Sequence, residues 1–154
     1  MVNVAELLTP EQVLAGARAT SKRRVLEQLA ELLLKGEAGL ALSQIVEALT
    51  IRERLGATGL GKGIALPHGR LKQITRPTGA FLQLVQPIPF DAPDDQGVDL
   101  FFALLVPEQA TDEHLRILAH LARLFSEVPL RQQLRETADP AVLYRILTEY
   151  SGNS

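Results

Sequence analysis

The chain has 154 residues, of which 46% are hydrophobic and 22% are charged, and these values suit one globular domain with a full hydrophobic core. Its formal net charge of -2 argues against a general nucleic-acid binder, which needs a basic face to neutralise phosphates. The absence of cysteine excludes disulfides, thiolate metal sites and a cysteine nucleophile.

The N-terminal part is predicted to contain one strand and two helices. Small and apolar residues alternate with others over 13–19, which weakly indicates a strand. Apolar residues over 25–34 recur every three or four positions, which predicts an amphipathic helix with Ser21 as its N-cap. A second helix is predicted from an N-cap at Ser43 to Leu55, where a glycine ends it.

Three apolar segments in the middle of the chain are predicted to be strands. Residues 64–66 form a short one, and residues 79–86 form a longer one that Pro87 should interrupt. Residues 98–106 are almost continuously apolar, which is typical of a central strand covered on both faces.

The C-terminal third is predicted to be helical. Thr111 is expected to cap a long helix, and Pro129 and Pro140 each suit the first turn of a further helix. Strands and helices do not alternate strictly, so we expect an α/β fold in which a mixed β-sheet is sandwiched between α-helices, rather than a Rossmann domain. One domain is expected over residues 1–154, with its core at about 4–150.

Neither export nor membrane insertion is expected. Residues 1–10 have no basic region followed by a long apolar run, as a secretory signal would have. The longest strongly apolar stretch, residues 100–106, is far shorter than the roughly 20 residues of a membrane helix. We therefore expect a cytoplasmic protein.

His68 is the leading candidate for chemistry. It follows Pro67, which favours an extended conformation just before it, and it precedes Gly69, which would let the chain turn at once and leave room around the imidazole. A histidine at such a bend would be reachable from solvent and still rigidly held. Position alone does not exclude an ordinary loop histidine without a role.

The two other histidines, His114 and His120, fall in the predicted long helix. His114 lies near the N-terminus of this helix, where amide groups and the helix dipole favour anions, although a surface histidine is the simpler interpretation. His120 is six residues on, about 120° round the helix, so the two do not form a helical metal pair. We expect neither a metal nor a cofactor.

Two other catalytic patterns fail. The glycine-rich stretch 59–63 lacks the Gly-Lys-Ser/Thr sequence of a phosphate-binding P-loop, and a glycine-rich turn is the simpler interpretation. No Gly-x-Ser-x-Gly elbow supports a serine hydrolase.

Residues 52–69, RERLGATGLGKGIALPHG, resemble the active-site signature of the fructose/mannitol-type enzyme IIA domains of the bacterial phosphotransferase system. LLTP at 7–10 and SKRRVLE at 21–27 resemble the opening of the nitrogen-regulatory branch, enzyme IIA-Ntr. Further matching segments extend the resemblance over nearly the whole chain. These segments are PIPFDA at 87–92, VDL at 98–100, ALLVP at 103–107 and HL at 114–115.

The resemblance implies a role for each matching residue. His68 would be the histidine that a phosphorylated HPr-like carrier protein modifies, and His114 would be a second active-site histidine beside it. Arg52 and the hydroxyl of Thr58 would lie close to the phosphoryl group, with Gly69 also contributing to its binding. Two residues depart from the family pattern: Ala57 replaces a common serine, and Lys62 replaces a common asparagine and would add a cation near the phosphate.

The resemblance also implies a regulatory phosphocarrier, a phosphoryl-transfer component rather than a free-standing enzyme. Its partners would be an HPr-like donor and regulatory targets such as potassium-transport or sensor-kinase components. Two alternatives remain open: a sugar-specific enzyme IIA that supplies a fructose- or mannitol-type permease, and a binding module of the same fold that is not phosphorylated.

Overall fold

The computed structural model describes residues 3–37, 39–109 and 111–150. Its strands, in chain order, are β1 Val13–Ala17, β2 Gly59–Gly61, β3 Ile64–Ala65, β4 His68–Leu71, β5 Thr78–Ile88 and β6 Val98–Pro107. Its α-helices are α1 Lys22–Leu34, α2 Leu42–Leu55, α3 Thr111–Phe125, α4 Val128–Arg135 and α5 Pro140–Glu149. Two short 3-10 turns precede β1.

The strands form one mixed sheet around β6. The order is β1-β5-β6-β3-β2, and β4 also pairs with β6 beyond the end of β3. The strands β3 and β4 run parallel to β6, whereas β5 is antiparallel to it. Pro67, which lacks a backbone N–H, separates β3 from β4, so the two short strands occupy successive parts of β6.

Both faces of the sheet are covered by helices. Phe101, Ala103 and Leu105 of β6 pack in the core beneath α1 and α2, whereas the alternate residues Phe102 and Leu104 pack in the core beneath α3, α4 and α5. Two-sided burial explains why residues 98–106 read as a continuous apolar run rather than an alternating one. The predicted mixed sheet between helical layers is confirmed.

Some predicted element ends are confirmed, whereas the start of α2 and the end of β5 are wrong. Ser21 does cap α1, since its Oγ accepts a hydrogen bond from the N–H of Arg24. The N-cap of α2 is Ala41 rather than Ser43, and the Gln44 side chain accepts its N–H at 2.8 Å. The strand β5 continues through Pro87, because its pairing with β6 is irregular there and requires no proline donor.

Thr111 was predicted to cap α3 and is instead its first helical residue, and its side chain lies outside the described residues. Pro129 and Pro140 do occupy the first turns of α4 and α5. Within the described ranges, no helix combines the length and the apolar character that crossing a membrane requires.

Candidate functional site

His68 opens β4, a strand that pairs with β6 on one side only in the described sheet. It is in register with Leu104, so its ring faces the layer that contains α3. The side chain is only 7% exposed, which is less accessible than predicted, because α3 and Arg52 cover it. The imidazole is therefore held at the sheet edge rather than on a projecting loop.

Gly69 does not turn the chain, and that prediction is wrong. The strand continues to Leu71, and Gly69 is paired with Leu105 inside it. A Cβ at position 69 would lie 2.9 to 3.0 Å from backbone and side-chain atoms of Ala48, closer than normal packing allows. Glycine is therefore required so that α2 can approach the sheet, and Arg52 lies one helical turn beyond Ala48.

Two hydrogen bonds fix the protonation pattern of His68. Its Nδ1 lies 2.8 Å from the carbonyl oxygen of Leu66, which can only accept, so Nδ1 carries the proton. Its Nε2 therefore has a free electron pair, which accepts a hydrogen bond from Nε of Arg52 at 3.1 Å. The ring nitrogen that is able to act as a nucleophile is thus selected by the backbone that precedes His68.

The surroundings of His68 keep it neutral. Burial lowers its pKa from 6.5, the nearby charges of Arg52 and Arg70 lower it further, and the opposing effects of the Leu66 carbonyl and of the Glu53 charge do not outweigh them. An imidazole whose pKa lies below 6.5 is mostly unprotonated at pH 7, as a nucleophile must be. Arg70 was not singled out from the sequence, although it lies two residues along the strand and so on the same face.

His114 lies against His68, on the first turns of α3. The ring centroids are 5.3 Å apart and the planes meet edge to face at 73°. Only 4% of His114 is exposed, and neither ring nitrogen has a hydrogen-bond partner within the described residues. Burial, followed by the charges of His68, Arg70 and Arg52, lowers its pKa to about 4.

An unpartnered buried imidazole is costly, because its N–H has lost water without gaining an acceptor. The N–H of His114 is therefore available to an oxygen that enters the space beside His68. The N-terminal end of the α3 dipole favours such an oxygen being anionic.

Thr58 does not face His68 with a free hydroxyl, in contrast to the expectation. The hydroxyl donates to Oε1 of Glu53 at 2.6 Å, and the backbone N–H of Thr58 donates to Oε2 at 3.0 Å. Its single hydroxyl proton is already used, so Thr58 organises the signature rather than offering a donor to a ligand.

Glu53 was missed by the sequence analysis. It is 8% exposed and continues the buried stripe of Ile45 and Leu49 along α2. Its carboxylate lies 3.0 Å from Nζ of Lys22, the first residue of α1. Its position, four residues after Leu49 on the apolar stripe of the helix, could have indicated a buried carboxylate.

Lys62 is far from His68, so the prediction of an extra cation near the phosphate is wrong. It lies in the turn between β2 and β3, where its N–H donates to Asp94. The carbonyl of the next residue, Gly63, accepts a hydrogen bond from the N–H of Leu100 on β6. His68 pairs with Leu104, which lies four residues further along the same strand. Four residues of strand separate the two positions by about 13 Å.

The described residues bring together one neutral nucleophilic nitrogen, a guanidinium that contacts it and an unpartnered imidazole. No three histidine, aspartate or glutamate side chains converge in the described part of the chain to hold a metal ion. The arrangement fits an incoming anion with several oxygens rather than a cation.

Comparison with known proteins identifies the family. Residues 6–150 match the family model described as "Phosphoenolpyruvate-dependent sugar phosphotransferase system, EIIA 2". The "Nitrogen regulatory protein" of Pseudomonas aeruginosa is 42% identical over 149 residues, which cover 97% of each chain.

Solved structures agree with the family assignment. The crystal structure of "Nitrogen Regulatory Protein IIA-Ntr" from Neisseria meningitidis is 41% identical, with a TM-score of 0.87 over 94% of this chain and 99% of that one. The IIA mannitol structure from Escherichia coli is 23% identical, with a TM-score of 0.75 over 90% and 97%, and it shows the shared fold. The chain therefore belongs to the EIIA 2 family of the phosphotransferase system, and its resemblance to the nitrogen-regulatory members of that family is confirmed.

Proposed function

We propose that this protein is a regulatory phosphocarrier that accepts a phosphoryl group on Nε2 of His68 from a phosphorylated HPr-like protein. The observation that carries this proposal is the neutral His68 ring, with its proton held at Nδ1 by Leu66 and its electron pair at Nε2. The unpartnered His114 beside it supports an acceptor site that is complete only when phosphoryl oxygens are present.

The transfer exchanges one P–N bond for another. The electron pair of Nε2 attacks the phosphorus in line, and the electrons of the breaking P–N bond return to the ring of the donor histidine. His68 keeps its proton on Nδ1, and the Leu66 carbonyl stabilises the positive charge that develops on the phosphorylated ring. Such transfer depends on positioning and charge stabilisation more than on proton transfer.

Arg52 has to move for this reaction to occur. In the structure its Nε–H occupies the electron pair of Nε2, and one terminal nitrogen donates to the carbonyl of Gly56 at 2.8 Å. A small rotation of the half-buried side chain would free Nε2 and let the guanidinium hold the phosphoryl oxygens. Arg52 thus serves the resting and the phosphorylated site in turn, with His114 as a second donor.

The surface around His68 suits a partner with an apolar centre and an acidic border. Leu55 is 80% exposed at the end of α2, and Ile51 and Leu115 are also exposed large apolar residues next to Arg52 and His114. Arg54 on α2 and Arg70 on β4 are also exposed. An apolar centre with a polar rim is typical of protein–protein interfaces.

The switch itself is electrostatic. Phosphorylation adds nearly two negative charges close to Arg52, so targets whose acidic groups bind the unmodified face would be repelled. The likeness to nitrogen regulatory proteins supports a regulatory role over a purely metabolic one. We propose that the targets are cytoplasmic regulatory proteins such as potassium-transport or sensor-kinase components.

The test is labelling by a phosphorylated HPr-like donor, followed by intact-mass measurement. The wild type should gain one acid-labile, alkali-stable phosphoryl group, His68→Ala should gain none, and His114→Ala and Arg52→Gln should gain it slowly. His120→Ala is the matched control on α3 and should behave as wild type. Labelling that persists in His68→Ala would overturn the proposal.

The alternative function is sugar-specific transfer to a fructose- or mannitol-type permease, which the family description includes. The phosphorylated protein would then support rapid sugar phosphorylation by such a permease. Transfer no faster than that of the His68→Ala variant would favour the regulatory function. A chain that is never phosphorylated by any HPr-like donor would favour a binding module instead.

A further inference from the structure

A continuous set of contacts connects the buried carboxylate of Glu53 to the ring of His68. The carboxylate receives both the N–H and the hydroxyl of Thr58. The carbonyl of Thr58 accepts the N–H of Leu66 at 3.0 Å, and the carbonyl of Leu66 accepts the Nδ1 proton of His68 at 2.8 Å. The Leu66 backbone is thereby held at both its N–H and its carbonyl, on either side of its Cα.

Glu53 is itself held firmly. Nζ of Lys22 lies 3.0 Å from Glu53, 3.1 Å from Asp91 and 4.7 Å from the centre of the Phe90 ring. Desolvation alone would lower the pKa of Lys22, but its hydrogen bonds and charge interactions with the two carboxylates outweigh this effect and raise it. Lys22 therefore stays charged and balances the carboxylate that faces Thr58.

The position of the Leu66 carbonyl matters because it selects the nucleophilic nitrogen. In a free neutral histidine the proton prefers Nε2, which would leave Nε2 without an electron pair for attack. The carbonyl reverses that preference by offering an acceptor to Nδ1 only. The Nε–H of Arg52 favours the same tautomer by donating to Nε2, so whatever fixes the carbonyl acts together with Arg52 to determine how much of His68 is in the reactive tautomer.

We propose that Glu53 is a positioning residue for phosphoryl transfer, acting through Thr58 and the Leu66 carbonyl to hold His68 in the tautomer with Nδ1 protonated and Nε2 free. The effect of Glu53 on phosphoryl transfer rests on the proposed function of His68, whereas its effect on the tautomer does not. In this proposal the Thr58 hydroxyl connects Glu53 to the backbone near His68 and does not bind the phosphoryl group directly.

The experiment measures the tautomer directly in the unphosphorylated protein. Two-bond proton–nitrogen NMR spectra of ¹⁵N-histidine-labelled protein at neutral pH identify which ring nitrogen of His68 is protonated. The variants are Glu53→Gln, which removes the charge, and Thr58→Val, which removes the hydroxyl. The comparison variants are Thr58→Ser, which keeps the hydroxyl, and Glu47→Gln, the same chemical change at an exposed position of α2.

Wild type should show a protonated Nδ1 and an unprotonated Nε2. Glu53→Gln and Thr58→Val should show a mixture of the two tautomers and accept the phosphoryl group roughly 10- to 100-fold more slowly. Thr58→Ser should lie much closer to wild type than Thr58→Val does, and Glu47→Gln should match wild type.

A His68 ring that keeps its wild-type nitrogen signals in both Glu53→Gln and Thr58→Val would overturn the inference, even if stability falls. Should Glu53→Gln fail to fold, Thr58→Val decides the matter alone. If the tautomer shifts as expected but wild type never accepts a phosphoryl group, the positioning of His68 stands and the proposed function fails. The two failures are therefore distinguishable.

Discussion

Acid should destabilise the protein through His114 in particular. Replacing His114 by glutamine removes a buried imidazole that must stay neutral while keeping a polar side chain of similar size. The pKa of His114 is about 4 in the folded protein, compared with 6.5 for an ordinary histidine. Between these two values the unfolded chain binds a proton that the folded chain does not, so stability falls as the pH falls through this window.

The magnitude follows from the width of the window. Each pH unit well inside it costs about 1.4 kcal/mol, so lowering the pH from 7 to 5 should cost wild type roughly 2 kcal/mol through His114 alone. The full effect, reached below the folded pKa, should be roughly 3 kcal/mol. For a chain of this length, 2 kcal/mol corresponds to a fall of about 4–8 °C in Tm.

The assay is urea unfolding of wild type and His114→Gln at pH 7 and pH 5, in buffers without phosphate or sulfate. Both proteins contain His68 and the same carboxylates, so these shared contributions cancel when the two pH dependences are subtracted. The stability of wild type should fall by roughly 2 kcal/mol more than that of the variant. Equal pH dependences would refute the inference that His114 is buried as a neutral ring.

Two further substitutions test the packing that positions the site. Gly69→Ala should destabilise the fold by about 1–3 kcal/mol in urea unfolding, because its Cβ meets Ala48. Gly56→Ala should be nearly neutral, because its backbone is extended and its Cβ would meet only a terminal nitrogen of Arg52, at an ordinary contact distance of 4.0 Å; equal losses would contradict this reasoning. Gln83→Leu should cost at least about 2 kcal/mol, because the buried amide donates to two carbonyls at the end of α4 and accepts the N–H of Gly16. Exposed Gln86 on the same strand provides the control, and a Gln86→Leu change of equal size would contradict the role assigned to the buried amide.

Local patterns were enough to predict the framework. The apolar run at 98–106 identified the central strand because burial on both faces removes alternation, and the prolines at 129 and 140 marked helix starts because their fixed φ suits the first turn. The start of α2 was predicted wrongly because Ser43 was taken as the N-cap. The helix is instead capped at Ala41, whose N–H donates to the side chain of Gln44.

The site was only partly accessible from sequence. The signature placed His68, and the family resemblance paired it with His114 and Arg52, which the fold brings together. Contacts between distant segments were not predictable by spacing, so Lys62 was placed too near the site and the link from Lys22 to Glu53 was missed. Gly69 was assigned a turn because the sequence does not show that α2 passes over it.

The account depends most on which nitrogen takes the phosphoryl group. Phosphorylated, ¹⁵N-histidine-labelled protein should show phosphorus–nitrogen coupling to Nε2 of His68, with Nδ1 of the same ring still protonated. Coupling to Nδ1 of His68, or to either ring nitrogen of His114, would contradict the account.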